Sequence, residues 1–152
     1  MYLNIGDKAP NFTLPNYNNE IISLNDFIGI TVLLWFFPKA NTPGWIIEGK
    51  GFRDEFKNFN KRNIQIIGIS ADPPEKQNKF VKKFNFQYMM LCDESKNILK
   101  TYKVWAIKKF MGREYEGIHR ISYLINKEGI IDKVYDKVKT KTHAQDVLRE
   151  LI

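Results

Sequence analysis

The segment "ITVLLWFFPKANTPGWIIEGKGFRD", residues 30–54, is the most informative part of the sequence about its fold. Its first eight residues form an almost continuous apolar, β-branched and aromatic run, which predicts a strand covered on both faces. A Pro/Asn/Thr/Gly turn follows, and helical spacing begins at Pro43, which is tolerated near a helix start. This helix is predicted to bury one stripe of residues: Ile46, Ile47, Phe52 and Phe56. A turn that links the end of a strand to the start of a helix is a common place for a reactive group. In this sequence Trp45 occupies that helix start.

Strand and helix patterns alternate on both sides of this stretch. The segment "FTLPNYNNEIISLNDF" (12–27) predicts a short hairpin. Strands are predicted in "NIQIIGIS" (63–70) and "YMMLC" (88–92), each followed by a helix, in "PPEKQNKFVKKFN" (73–85) and "DESKNILKTY" (93–102). A hairpin of "RISYLIN" (120–126) and "IIDKVYD" (130–136) precedes a last helix, "HAQDVLREL" (143–151). This order predicts an α/β protein, one domain over residues 1–152, with a mixed central sheet and helices on both faces.

Composition limits the chemistry. The 152 residues hold one cysteine, Cys92, so the chain has no internal disulfide, no cysteine zinc site and no C-x-x-C motif. Apolar runs long enough to span a bilayer are absent, and the first residues lack the pattern of a signal peptide. We therefore expect a cytoplasmic protein.

The net charge of +7 raises the question of nucleic-acid binding. The basic residues are spread through "KNFNKR", "KFVKKF" and "AIKKFMGR" and mixed with carboxylates, without a clustered motif. Solvated surface is the favoured interpretation, and binding to nucleic acid or another anionic surface stays open as an alternative.

Neither a metal nor a cofactor is predicted. His119 adjoins Arg120 on a strand, His143 begins the last helix, and neither has a partner at metal-ligand spacing. Cys92 ends a predicted strand beside Asp93 and Glu94, whose negative charges oppose a thiolate, so a structural role is expected for it.

Several ordered segments carry a resemblance to a known family. They are "GDKAPNFTLPN" (6–16), "FFPKANTPGW" (36–45), "FRDEF" (52–56), "IIGISAD" (66–72), "LCDESKNILKTYKVW" (91–105) and "YEGIHRISYLINKEGII" (115–131). Together they resemble peroxiredoxins of the AhpC/TSA type, in the bacterioferritin-comigratory or peroxiredoxin Q group. The resemblance implies a thioredoxin-like fold, an N-terminal β-hairpin and an antioxidant, thioredoxin-dependent peroxidase activity.

The resemblance also implies site residues. Thr42 matches the threonine that hydrogen-bonds thiolate and peroxide, Arg120 the arginine that completes the pocket, and Pro38 the proline that shields it. Trp45 stands at the position of the peroxidatic cysteine, and Lys50 at the position of the resolving cysteine. Indole has neither an ionisable proton in the useful range nor a sulfur, so the family's reaction cannot proceed at Trp45.

Each retained residue also has a structural interpretation. Thr42 suits a helix N-cap, and Arg120 suits an ion pair with Glu48 or Asp54. Trp45 is interpreted as a plug that fills the former pocket, with room supplied by Gly49 and Gly51 on the same helix. The alternative is an exposed ring that recognises a partner.

Three functions follow as alternatives. The first is a peroxiredoxin-fold protein that has lost peroxidase activity and acts as a binding, regulatory or structural paralogue. The second is a weak peroxidase that uses Cys92 or a partner's thiol, and the third is a binder of nucleic acid or anionic surfaces. The expected partner is a thioredoxin-type or other protein, with nucleic acid disfavoured, and the expected assembly is a monomer or weak homodimer.

Overall fold

The computed structural model describes residues 2–37, 43–136 and 138–150. Its strands are β1 (Thr13–Pro15), β2 (Ile21–Ser23), β3 (Thr31–Phe37), β4 (Ile64–Ser70), β5 (Met89–Cys92), β6 (Trp105–Phe110), β7 (Arg113–Ile118), β8 (Ser122–Ile125) and β9 (Ile131–Tyr135). Its helices are α1 (Pro43–Asp54), α2 (Phe56–Lys61), α3 (Pro74–Phe84), α4 (Asn97–Thr101) and α5 (His143–Glu150), with a 3-10 turn at Leu24–Phe27.

The central sheet has five strands in the order β5-β4-β3-β8-β9. Strands β3, β4 and β5 are parallel, whereas β8 runs antiparallel to β3 and β9 antiparallel to β8. The predicted mixed sheet is therefore confirmed, and so is the N-terminal hairpin, in which β1 pairs with β2.

Residues 31–37 of the apolar run form the middle strand, β3. Residues 32–36 of β3 are buried without interruption, with Leu33, Leu34 and Trp35 fully inaccessible. A strand flanked on both edges and covered on both faces has no solvent-facing positions, which is why its sequence shows no polar alternation.

Helix α1 begins at Pro43, as predicted, and runs to Asp54. Its predicted buried stripe is only partly right. Phe52 is fully buried and Ile46 and Phe56 are half-buried, but Ile47 is 40% exposed. Glu48 and Phe52 lie on the face of the helix that packs against the sheet, so Ile47 faces outward.

Gly49, one of the three glycines of α1, packs against aromatic side chains. A Cβ on Gly49 would lie 2.7 Å from Cζ of Phe86 and 3.0 Å from the hydroxyl of Tyr88. The space beside Gly49 is therefore filled by these rings, which contradicts the idea that it makes room for a plug. Helix α1 continues without interruption past Gly49 and Gly51.

The hairpin of β6 and β7 was not predicted. Its two strands pair over six residues each, and the turn places Met111 and Gly112 at positive φ, 51° and 78°. Such turns usually carry Asn-Gly or Asp-Gly. Methionine in the first of these positions hid the turn from sequence-based reasoning.

Candidate functional site

The carboxyl ends of three parallel strands meet at one edge of the sheet. Phe37, Ser70 and Cys92 lie side by side at the ends of β3, β4 and β5. Helix α1 begins beyond β3 at the same edge. Strand β8 is antiparallel to β3 and begins at this edge, where Ser122 pairs with Trp35. Arg120, two residues before Ser122, therefore also lies at this edge. The fold thus places Arg120 at the edge of the sheet where α1 begins.

The described residues cover only part of the predicted site. Pro38 and Thr42 lie outside them. Trp45 lies in the first turn of α1, but its side chain is also outside the described part of the structure. The plug, the exposed ring and the N-cap role of Thr42 therefore remain hypotheses.

Glu48 is a tightly enclosed carboxylate near this edge. It lies in α1 one turn after Trp45, and its residue is 2% exposed. Among the described residues, its Oε1 atom finds no hydrogen-bond partner. Burial raises the pKa of Glu48 from 4.5 to about 8, and the positive charge of Arg120 opposes this rise only in part. The carboxyl is therefore mainly protonated at neutral pH.

Of the two expected partners for Arg120, Glu48 is the one that its charge influences. Asp54 is instead exposed and pairs with its neighbour, with Nε of Arg53 donating to Oδ1 at 3.0 Å. Arg53 also donates from Nη1 to the carbonyl oxygen of Phe84 at 2.9 Å, which joins α1 to the end of α3.

Tyr88 is a site neighbour that sequence-based reasoning missed. Its hydroxyl donates to the carbonyl oxygen of Gly49 at 3.0 Å, and the side chain is fully buried. Burial, followed by the charge of Glu48, raises the pKa of Tyr88 well above its ordinary value. Its only signal in the sequence was a place in an apolar strand, which does not indicate contact with a helix 39 residues earlier.

Cys92 lies at the same edge but in a poor environment for a thiolate. It is 1% exposed, and its Sγ donates to Oε1 of Gln77 at 3.1 Å. Burial, followed by the negative charges of Asp72 and Glu94, raises the pKa of Cys92 to about 12. The effect of Glu94 agrees with the sequence analysis, which expected neighbouring acidic residues to oppose a thiolate.

His143 belongs to the core. Its Nε2 lies 3.0 Å from Oγ of Ser122, its ring contacts Phe52 and Tyr135, and burial lowers its pKa to about 4. In the part of the chain that the structure describes, no group of three or more His, Cys, Asp or Glu residues is arranged to hold a metal ion.

Lys50, at the position implied for a resolving thiol, contacts an aromatic ring. Its Nζ lies 5.2 Å from the ring centroid of Phe84, and Nζ of Lys83 lies 5.4 Å from the same centroid. Along the sequence, the basic residues form no cluster. The fold brings these two cations together from positions 33 residues apart.

Comparisons with known proteins agree with this geometry. The model of the AhpC/TSA family matches residues 5–134. The peroxiredoxin Bcp of Escherichia coli K12 is 42% identical over 149 residues, which cover 98% of this chain and 96% of that protein. The Bacillus subtilis Bcp is 39% identical, with 99% and 96% covered. A crystal structure of a mutant PrxQ from Xylella fastidiosa superposes with a TM-score of 0.92 at 28% identity, with 99% and 96% covered.

The structure adds one observation on membranes. Among the residues it describes, no helix is both long and apolar enough to cross a bilayer. The cytoplasmic location stays a prediction.

Proposed function

Since this chain belongs to the AhpC/TSA family, in its Bcp or peroxiredoxin Q group, we propose that it is a member without peroxidase activity that acts as a binding or regulatory protein. A thiol peroxidase attacks the peroxide O–O bond with a thiolate, which becomes a sulfenic acid. That step needs an accessible thiol whose pKa lies near the ambient pH or below it. The proposal is that this chain has no such thiol.

The observation that carries the proposal is the state of the only cysteine. With a pKa of about 12, on the order of one Cys92 in 10⁵ is ionised at pH 7. Its side chain is buried and hydrogen-bonded to Gln77, so a peroxide has no open path to the sulfur.

Distance separates Cys92 from the supports of the family's reaction. Arg120 precedes β8, which is three positions from β5 in the sheet. Three strand spacings amount to about 14 Å. Charge effects on pKa act mainly within about 6 Å, and the charges that act on the Cys92 thiol are those of Asp72 and Glu94.

The sequence supplies the complementary argument. By the resemblance, Trp45 and Lys50 occupy the positions of the two thiols of the mechanism. A chain without them cannot form the intramolecular disulfide that a thioredoxin-type reductant would open. We therefore propose non-covalent binding to its partner.

A peroxide-consumption assay tests the proposal. Purified protein with thioredoxin, its reductase and NADPH should consume hydrogen peroxide or an organic hydroperoxide no faster than thiol-blocked protein does. The Trp45→Cys variant serves as the positive control and should recover part of the activity, because Arg120 is retained while Lys50 cannot resolve the sulfenic acid. Turnover by the natural chain that disappears in Cys92→Ser would refute the proposal and support the weak peroxidase.

A further inference from the structure

A basic surface lies where α1 meets the end of α3. Helix α3 carries one acidic residue, in its first turn, and four exposed lysines after it. Lys76, Lys79 and Lys83 follow each other at helical spacings of three and four residues, so they share one face over about 10 Å. We call this surface, with the neighbouring part of α1, the α1–α3 basic surface: Ile47, Lys50, Lys76, Lys79, Lys83 and Phe84.

Within the described part of the chain, no ion pair neutralises the charges of this surface. Among the described residues, none of its four lysines forms an ion pair. Lys79 and Lys83 are like charges at i and i+4, an arrangement that weakens a helix. The helix dipole favours a cation such as Lys83 in the last turn of α3, but it disfavours Lys76 in the first turn. Stabilisation of α3 itself therefore does not explain the pattern.

The ring of Phe84 has two lysine ammonium groups near it. The ammonium groups of Lys50 and Lys83 both lie within 5.4 Å of its ring centroid. Arg53 is already used, because it bonds to Asp54 and to the carbonyl oxygen of Phe84. Lys50 and Lys83 thus remain available to an anionic group that arrives from outside.

Apolar area adjoins these cations. Ile47 lies one turn before Lys50 on the same face of α1 and is 40% exposed. Phe84 is half-buried and stacks on Phe86, with centroids 5.9 Å apart and planes 27° apart. Cations with an exposed aliphatic side chain beside them complement a segment that carries both carboxylates and an apolar residue.

We propose that the α1–α3 basic surface is a docking site for an acidic, partly apolar segment of a partner protein. Nucleic acid fits it less well. The stripe is short compared with the run of phosphates that a nucleic-acid binder neutralises. Phe84 also offers poor stacking to a base, since it stacks on Phe86 and carries ammonium groups over its ring. The inference rests on the proposed binding role, but it does not depend on the residue at position 45.

The test is fluorescence anisotropy with a labelled peptide of glutamate residues around a central leucine. The natural chain should bind the peptide, and binding should weaken as salt is raised. Lys50→Glu/Lys83→Glu should weaken it by at least about tenfold, since two attractive pairs become repulsive. The matched control, Lys100→Glu/Lys127→Glu, makes the same change in net charge at exposed lysines elsewhere and should shift binding by less than about twofold.

Three results would overturn the inference. One is the absence of peptide binding at low salt, and another is equal weakening by the two double variants, which would indicate a net-charge effect. The third is tighter binding of a single-stranded oligonucleotide or of anionic vesicles, lost in Lys50→Glu/Lys83→Glu, which would assign the surface to those ligands. Circular dichroism of each variant confirms that it is folded. Because no peroxide is used, failure here is distinguishable from peroxidase activity, which would refute the proposed function instead.

Discussion

Replacing Glu48 by glutamine should change how the stability of this protein depends on pH. The folded carboxyl has a pKa of about 8, against an ordinary value of 4.5. Between these values the unfolded chain has released the proton that the folded chain still holds. The free energy of unfolding therefore falls as pH rises, by about 3 kcal/mol at pH 7 and about 5 kcal/mol above pH 8.

Glutamine has nearly the shape of protonated glutamic acid but cannot ionise, so Glu48→Gln removes this loss. At pH 4.5 the variant and the natural chain should differ by about 1 kcal/mol or less. By pH 8 the variant should have gained about 3 to 5 kcal/mol relative to the natural chain. Arg120 and Tyr88 are the groups coupled electrostatically to Glu48, and both remain in the variant.

The measurement is urea unfolding followed by far-UV circular dichroism, at constant ionic strength, from pH 4.5 to 8.5. Glu128→Gln is the matched control, because Glu128 is exposed in the turn between β8 and β9. Its effect should stay within about 0.5 kcal/mol at every pH. Parallel stability curves for Glu48→Gln and the natural chain would refute the argument, since they would show that Glu48 titrates alike in both states.

Two further predictions concern α1 and its neighbour α5. Gly49→Ala should destabilise the protein by about 1 to 3 kcal/mol despite a better helix propensity, because its Cβ would lie 2.7 Å from Phe86. Gly51→Ala, whose nearest side chain is 3.7 Å away, should stabilise it by up to about 1 kcal/mol, and urea unfolding that ranks the two alike would contradict the packing. His143 has its pKa lowered from 6.5 to about 4, so its stabilising contribution is present above pH 6.5 and is lost, by about 3 kcal/mol, as pH falls through 4. His143→Asn should flatten this acidic limb while costing stability at neutral pH through the contact with Ser122, and an unchanged acidic limb would show that another group causes it.

Much of the fold followed from local patterns. The uninterrupted apolar run of β3 predicted a strand covered on both faces, and Pro43 predicted the start of α1, because both signals reside in neighbouring residues. The hairpin of β6 and β7 escaped prediction for a local reason as well, since Met111 replaces the residue that usually marks such a turn.

The candidate site was predictable only in part. The resemblance named Arg120, and the strand order brings it to the edge where α1 begins. Tyr88 could not be found in this way, because its contact with Gly49 joins an apolar strand to a helix far away in sequence. The outward position of Ile47 was also hidden, since helical spacing leaves open which of two adjacent apolar residues faces the sheet.

The amino-acid sequence was enough to predict the order of most strands and helices, though not the β6–β7 hairpin, together with the family resemblance and the presence of one thiol in the whole chain. These are properties of the chain that need no knowledge of spatial neighbours. Folding in three dimensions was needed to enclose Glu48 and keep it mainly protonated, to shield Cys92 from ionisation, and to place Lys50 and Lys83 near the same ring. The physical reason is that a pKa and the charge of a surface depend on burial and on nearby groups, and folding supplies both from distant parts of the chain.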